Sequence, residues 1–307
     1  ASIHLQPFTL HECEQYARHR KLGMNRKQLL EGYMALGGVA YYWSLLDKSK
    51  SLALNIDNLF FSKDGELREE YDELYASLFN HPDKYLSIIE TLGKKKSGMT
   101  RAEIVNETRF IDNGKLSDML EDLGNCGFIR KYNTIGKKSK GALFQLIDAY
   151  TLFYFKFVRD NLINDEHFWS KSLDTSAYFN WCGLAFERVC LLHSRQIKAK
   201  LGVAGIISSE YAWWIEGNEE KSGAQIDLLI DRNDGVINLC EMKYTKTPFK
   251  IDSAYDAVLQ NKKTRFIEAT ETQKAIHLTM ISSQGLIRNS FSDEIQCQVT
   301  GNDLFDE

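Results

Sequence analysis

The chain contains no Cys-x-x-Cys pair; its six cysteines, at 13, 126, 182, 190, 240 and 297, are scattered. That spacing excludes a structural zinc site built on paired thiolates and fits reduced thiols in a cytoplasmic setting. No apolar run reaches the length of a membrane span and no secretory leader is visible, so no membrane partner is expected. An overall basic charge is missing too. The net charge is −4, so any surface that meets nucleic acid has to be local. No two histidines stand four residues apart, which removes a common metal-ligating pair, and His4, His11 and His19 read as surface or core residues. The chain starts at Ala1 in mid-pattern, without methionine, so a fragment or a processed start is expected. The rest is ordinary globular composition. With 43% hydrophobic and 26% charged residues over 307 positions, there is room for two or three domains with their own cores.

Residues 1–80 read as short helices punctuated by glycine. Thr9, with Glu12 three residues later, has the form of a capping box, and Asn25 caps a helix from Arg26 to Leu36 that stops at Gly37-Gly38. Further helical stretches are Tyr41 to Leu46, Asp57 to Phe61 and the acidic Glu66 to Phe79. Then Gly93-Lys-Lys-Lys-Ser-Gly98-Met99-Thr100 shows the glycine spacing of a phosphate-binding loop. Met99, however, occupies the lysine position, and a helix precedes the segment where such a loop needs a strand. A basic turn between helices is the better reading.

Residues 81–148 follow the order of a winged helix-turn-helix. Helices are expected over Tyr85 to Leu92, Arg101 to Asn106 (capped by Thr100 with Glu103) and Asn113 to Cys126. A hairpin of 128–132 and 142–147 closes through a lysine-rich turn. From Lys94 to Gly141 there are eleven Lys and Arg against six Asp and Glu. Lys115, Arg130, Lys131, Lys137, Lys138 and Lys140 suit contacts to phosphates, with DNA the expected partner. The alternative is a winged helix that spaces protein domains, its lysines merely solvated. Glu121 and Asp122 on the third helix would repel a DNA backbone. The aromatic stretch 149–181 could stack on unpaired bases, but Phe153 and Phe157 fit better a helix buried between domains. Trp213 and Trp214 are expected near the first strand of the last domain, in packing roles.

The segment from Gln225 to Lys243 carries the chemistry. It reads as two strands about the turn Asp231-Arg-Asn-Asp-Gly235. Folded symmetrically about Asp234, the hairpin sets Asp227 opposite Glu241, with Lys243 and Gln225 on the same face and Ile226, Leu228 and Ile230 on the other. A one-residue change of register would part the carboxylates. A divalent cation would relieve their repulsion, taking one or two carboxylates and completing its shell with water and phosphate oxygens. The lysine could then orient the attacking water. The alternative is a surface hairpin that ends in a Glu–Lys pair.

These residues resemble the PD-(D/E)xK nucleases, the restriction-endonuclease-like fold. Glu187, in the helix Gly183 to His193, precedes a strand from Ile206 to Ile215. Asp227 and Glu241-Met-Lys243 follow, then a helix from Ser253 to Thr270 and a strand from Ala275 to Ser282. Ile226 stands where the nominal proline would be. The resemblance implies Mg²⁺ or Mn²⁺ held by Asp227 and Glu241, a water served by Lys243, and an acidic cluster completed by Glu187, with Gln225 a further candidate. A second resemblance rests on Gln6-Pro-Phe-Thr-Leu10 and Ala35-Leu-Gly-Gly-Val-Ala-Tyr-Tyr42, which look like the lid of prokaryotic AAA ATPases of the STAND class. It implies an upstream ATPase core as partner, ATP bound only there, and a capacity to form oligomers. The expected architecture is therefore α/β and multidomain. It comprises a helical lid remnant (1–80), a winged helix (81–148) and a restriction-endonuclease-like domain with a central mixed sheet (149–307).

Overall fold

The computed structural model of the chain describes residues 6–135, 142–159, 161, 165–219 and 221–307. The fold is α/β, with helices and a mixed sheet. It forms two compact units, one from the residues up to Lys131 with Leu143–Ala185, the other from the short stretch at Tyr132 and the residues from Phe186 on.

In the first unit the caps read from the sequence are in place. Helix α1 (Leu10–His19) starts at Thr9, whose amide donates to Glu12 Oε2 at 2.7 Å while its hydroxyl accepts from the Glu12 amide. Asn25 and Gln28 do the same for α2 (Arg26–Leu36). Short helices α3 (Ala40–Ser44) and α4 (Leu52–Ile56) follow, then a π-helical turn over Asp57–Phe61 and α5 (Glu66–Leu78). Next come α6 (Pro82–Gly93), strand β1 (Met99–Thr100), α7 (Arg101–Thr108), α8 (Gly114–Asn125), β2 (Ile129–Thr134) and β3 (Leu143–Leu146). The Gly93–Thr100 segment turns at Gly98 (φ 79°) into β1, and Lys95 pairs with Glu103 at 2.6 Å.

The aromatic stretch joins this first unit rather than the C-terminal one. Helix α9 (Ala149–Phe153) continues into a second π-helical turn, Tyr154–Val158, before α10 (Phe168–Ser172) and the start of α11 (Ser176–Leu192). Phe153 is buried with its ring 4.7 Å from Phe60, 4.9 Å from Trp169 and 5.6 Å from Trp181. The buried carboxylate of Asp57 accepts from the amides of Trp169, at 2.7 Å, and Ser170. The expected boundary at 149 is therefore corrected to about 185. Large rings bury most area against one another, and Phe60 on Phe153 with Tyr71 stacked on Tyr154 tie the stretch to the residues before 80.

The second unit is built on strands β4 (Ser208–Ile215), β5 (Ala224–Arg232), β6 (Val236–Lys243), β7 (Ala275–Ser282) and β8 (Cys297–Thr300), after α12 (Ser194–Lys200). β4, β5 and β6 run antiparallel, β7 and β8 add in parallel, and Asn133 and Thr134 at the end of β2 pair in parallel with β4. Helix α13 (Ser253–Thr270) lays Leu259 and Phe266 on one face of this sheet, against Trp213, Leu229, Ile237, Leu239, Leu278 and Met280. Among the described residues, no helix is long and apolar enough to cross a membrane.

Candidate active site

The β5–β6 hairpin closes as its sequence directs. Leu229 pairs with Leu239 and Ile230 with Asn238, about a turn whose Gly235 sits at φ 86°, a left-handed position that a side chain would strain. The ladder ends at Leu228 and Cys240, and Asp227 and Glu241 are the next residues of that register.

Which way they turn is decided by the neighbouring strand. β4 pairs Tyr211 with Leu229 but Trp213 with Ile226, so Asp227 and Leu228 together span the single residue Ala212. This bulge resets the alternation. Ala224, Ile226 and Leu229 all enter the apolar cluster under α13, although strict alternation would part Leu229 from the other two. Gln225 therefore lies on the opposite face, and its amide donates to Asp227 Oδ1 at 2.7 Å. The expectation that Ile226, Leu228 and Ile230 form one apolar face, with Asp227 and Glu241 on the other, is corrected accordingly. Asp227 and Glu241 are neighbours where the ladder ends, turned to different partners.

Glu241 faces α13. Both its carboxylate oxygens are engaged: the Tyr255 hydroxyl donates to Oε1 at 2.8 Å and the Lys262 ammonium to Oε2 at 2.6 Å. Burial lifts the Tyr255 hydroxyl far above the ordinary phenol range, and the Glu241 charge adds to the lift, so it stays a donor. Lys243 stands with its ammonium 4.9 Å over the Tyr255 ring, a cation–π contact on the same side. Tyr255 is held by the Asp252 cap of α13, which takes its amide at 2.8 Å, and by Phe249 edge-on at 4.9 Å.

On α11, Glu187 is followed by Arg188, which is buried. Burial pulls the guanidinium pKa down, and the charges of Glu187 and Asp227 oppose that shift. Arg188 thus senses Asp227 and Glu187 together. Among the described residues no group of three or more His, Cys, Asp or Glu is arranged to hold a metal ion, so Glu187, Asp227 and Glu241 do not form the closed acidic cluster that the sequence suggested. A closed cluster is not required for Mg²⁺, which binds through one or two carboxylates with water and phosphate oxygens. The end of the hairpin carries both carboxylates, Glu241 turned to α13 and Asp227 to Gln225. It offers two carboxylates on adjacent strands, one of them already balanced by the cation of Lys262.

The expected nucleic-acid contacts are dispersed. Lys115 is exposed on α8, where Asp118, Glu121 and Asp122 are exposed as well. Arg130 donates to Gln145 Oε1 at 2.6 Å, and Lys131 is exposed beside the Phe144 ring, 5.9 Å away. Lys137, Lys138 and Lys140 lie outside the described residues. Sequence reasoning missed Tyr255, Lys262 and Arg188. The first two had a signal, since they stand seven residues apart on an expected helix and so share a face. Arg188 had none beyond its place next to Glu187.

No family model matches the chain, and no curated protein matches it. Among solved structures, protein VC1899 from Vibrio cholerae is similar at 13% identity and a TM-score of 0.28, over 83% of this chain and 58% of that one. The chain thus spans less than two thirds of that protein, and a likeness at this level does not define a shared fold.

Proposed function

We propose that the second unit is a PD-(D/E)xK-type nuclease domain that hydrolyses phosphodiester bonds with Mg²⁺ or Mn²⁺, in the C-terminal part of an AAA/STAND-type ATPase. The observation that carries this reading is Glu241 at the end of the hairpin ladder, next in register to Asp227 and bonded to Tyr255 and Lys262, with Lys243 over the Tyr255 ring. Asp227 and Glu241 would hold the ion, which when bound supplies a Lewis acid and a more acidic water. Tyr255 orients the Glu241 carboxylate through its hydrogen bond. Lys243 aligns the attacking water and offsets charge gathering on the phosphate. The water oxygen bonds to phosphorus and gives up a proton to solvent, the bond to the leaving oxygen breaks, and that oxygen takes up a proton from solvent. Lys262 balances Glu241 while no ion is there.

The test is calorimetric titration of Mg²⁺ and Mn²⁺ into the wild type and Asp227→Ala, followed by incubation with single- and double-stranded DNA. Wild-type metal binding and cleavage that Asp227→Ala abolishes, with DNA binding kept, is the expected result. Wild type that binds no metal would overturn the reading.

In the first unit, the order α6–β1–α7–α8–β2–β3 supports reading this part as a winged helix, with nucleic-acid contact assigned to Lys131 among the described residues. A specific observation favours a second reading for α8. Its exposed face sets Lys115 among three carboxylates, which suits a basic protein surface better than a phosphate backbone. The whole chain would then be a regulator of its own ATPase core, the nuclease-like domain serving as a binding module. Metal binding at Asp227 and Glu241 separates the two.

A further inference from the structure

Within the first unit, a cleft of about 540 Å³ opens between α6, the π-helical turn Tyr154–Val158 and α11. We infer that this cleft binds a nucleotide, a planar base carrying a phosphate, independently of the β5–β6 site.

Its floor is apolar: the side chain of Trp181, itself buried, and Leu184 come from α11. One wall is the ring of Phe155, seated directly on the α6 backbone at Gly93, where a Cβ would come within 2.8 Å of it. The wider π-helical turn, closed by the Arg159 amide donating to Tyr154 O at 2.9 Å, carries Arg159 over that ring. The Arg159 guanidinium lies 4.4 Å from the ring centre and 3.6 Å from the Glu90 carboxylate, two contacts that hold its planar group at the cleft. An aromatic base stacks on such a plane. Lys94 and Lys156 stand at the rim with no carboxylate partner among the described residues, free to meet a phosphate. Among the described lining residues three cations stand against one carboxylate, so the cleft selects an anion. Its apolar floor and its size select a flat apolar body. Two sources share this chemistry: a free nucleotide and an unpaired nucleotide within a strand.

The experiment uses the whole chain and calorimetric titration with AMP, adenosine and a 5′-phosphorylated tetradeoxyadenylate. Each is repeated with Lys156→Glu, whose side chain is exposed, and with Lys48→Glu as an exposed control elsewhere. AMP should bind, adenosine should bind at least about tenfold more weakly, and Lys156→Glu should weaken AMP by a similar factor while Lys48→Glu leaves it unchanged. Tighter binding of the tetranucleotide than of AMP assigns the site to a strand, and equal or weaker binding assigns it to the free nucleotide. Absence of binding by both phosphorylated probes, equal affinity for AMP and adenosine, or indifference to Lys156→Glu overturns the inference.

Discussion

With an ammonium 2.6 Å from one oxygen and a phenol 2.8 Å from the other, the Glu241 carboxylate is satisfied without a metal ion. Removing the ammonium in Lys262→Met leaves a largely buried negative charge short of its partner, which should cost about 1–3 kcal/mol of unfolding free energy. If Glu241 is a metal ligand, millimolar Mg²⁺ should restore part of that loss. Denaturant titrations with and without Mg²⁺ check this, and a deficit indifferent to Mg²⁺ would count against Glu241 as a ligand. His193 offers a pH signature. It is buried, its Nδ1 donates to Val189 O at 2.8 Å, and burial pulls its pKa down to about 4 from 6.5. The unfolded chain takes up a proton at higher pH than the folded one, so this group's contribution is complete above pH 6.5 and is lost as pH falls towards 4. Between pH 7 and pH 5 the loss is about 2 kcal/mol. His193→Gln should therefore flatten the pH dependence of stability by that amount, as read from chemical denaturation at the two pH values.

Capping explains why the early helices begin where they do. Thr9 with Glu12, Asn25 with Gln28 and Thr100 with Glu103 each satisfy amides that a helix start leaves open, and each was legible as a local pattern. The path of the chain beyond α2 is instead fixed by a contact distant in sequence. The Phe8 amide donates to Gly38 O at 2.8 Å, and a Cβ on Gly38 would run into the Phe8 backbone. Backbone cannot give way as a side chain tip can. Gly38→Ala should therefore destabilise the first unit by about 2 kcal/mol or more, seen as a lower midpoint in thermal melts, whereas a change at Gly23, which has open space around it, loses only the left-handed backbone preference. The hairpin shows the limit of element-level reading. Its register came from the turn, but the bulge opposite Ala212 came from β4, and a bulge shifts which side chains share a face.

At the scale of the whole molecule, the chain's negative balance means that nucleic-acid contact, where it occurs, rests on few cations. Removing one phosphate contact with Lys131→Ala should lower the slope of log affinity against log salt by about one, measured by DNA titration over a range of salt. An unchanged slope would move DNA contact away from β2. The sequence by itself determined the helices and their caps, the α/β class, the β5–β6 register and the candidacy of Asp227, Glu241 and Lys243, because these rest on neighbours close along the chain or on strict periodicity. Tertiary structure decided the rest. The aromatic stretch 149–185 joined the first unit because Phe60 packs on Phe153 and Tyr71 stacks on Tyr154. Leu229 joined Ile226 in the apolar cluster because β4 forces a bulge, and Lys262 reached Glu241 because α13 lies across that face of the sheet. Each of these depends on which surfaces bury one another, a choice made among residues far apart in the chain and therefore absent from any local pattern.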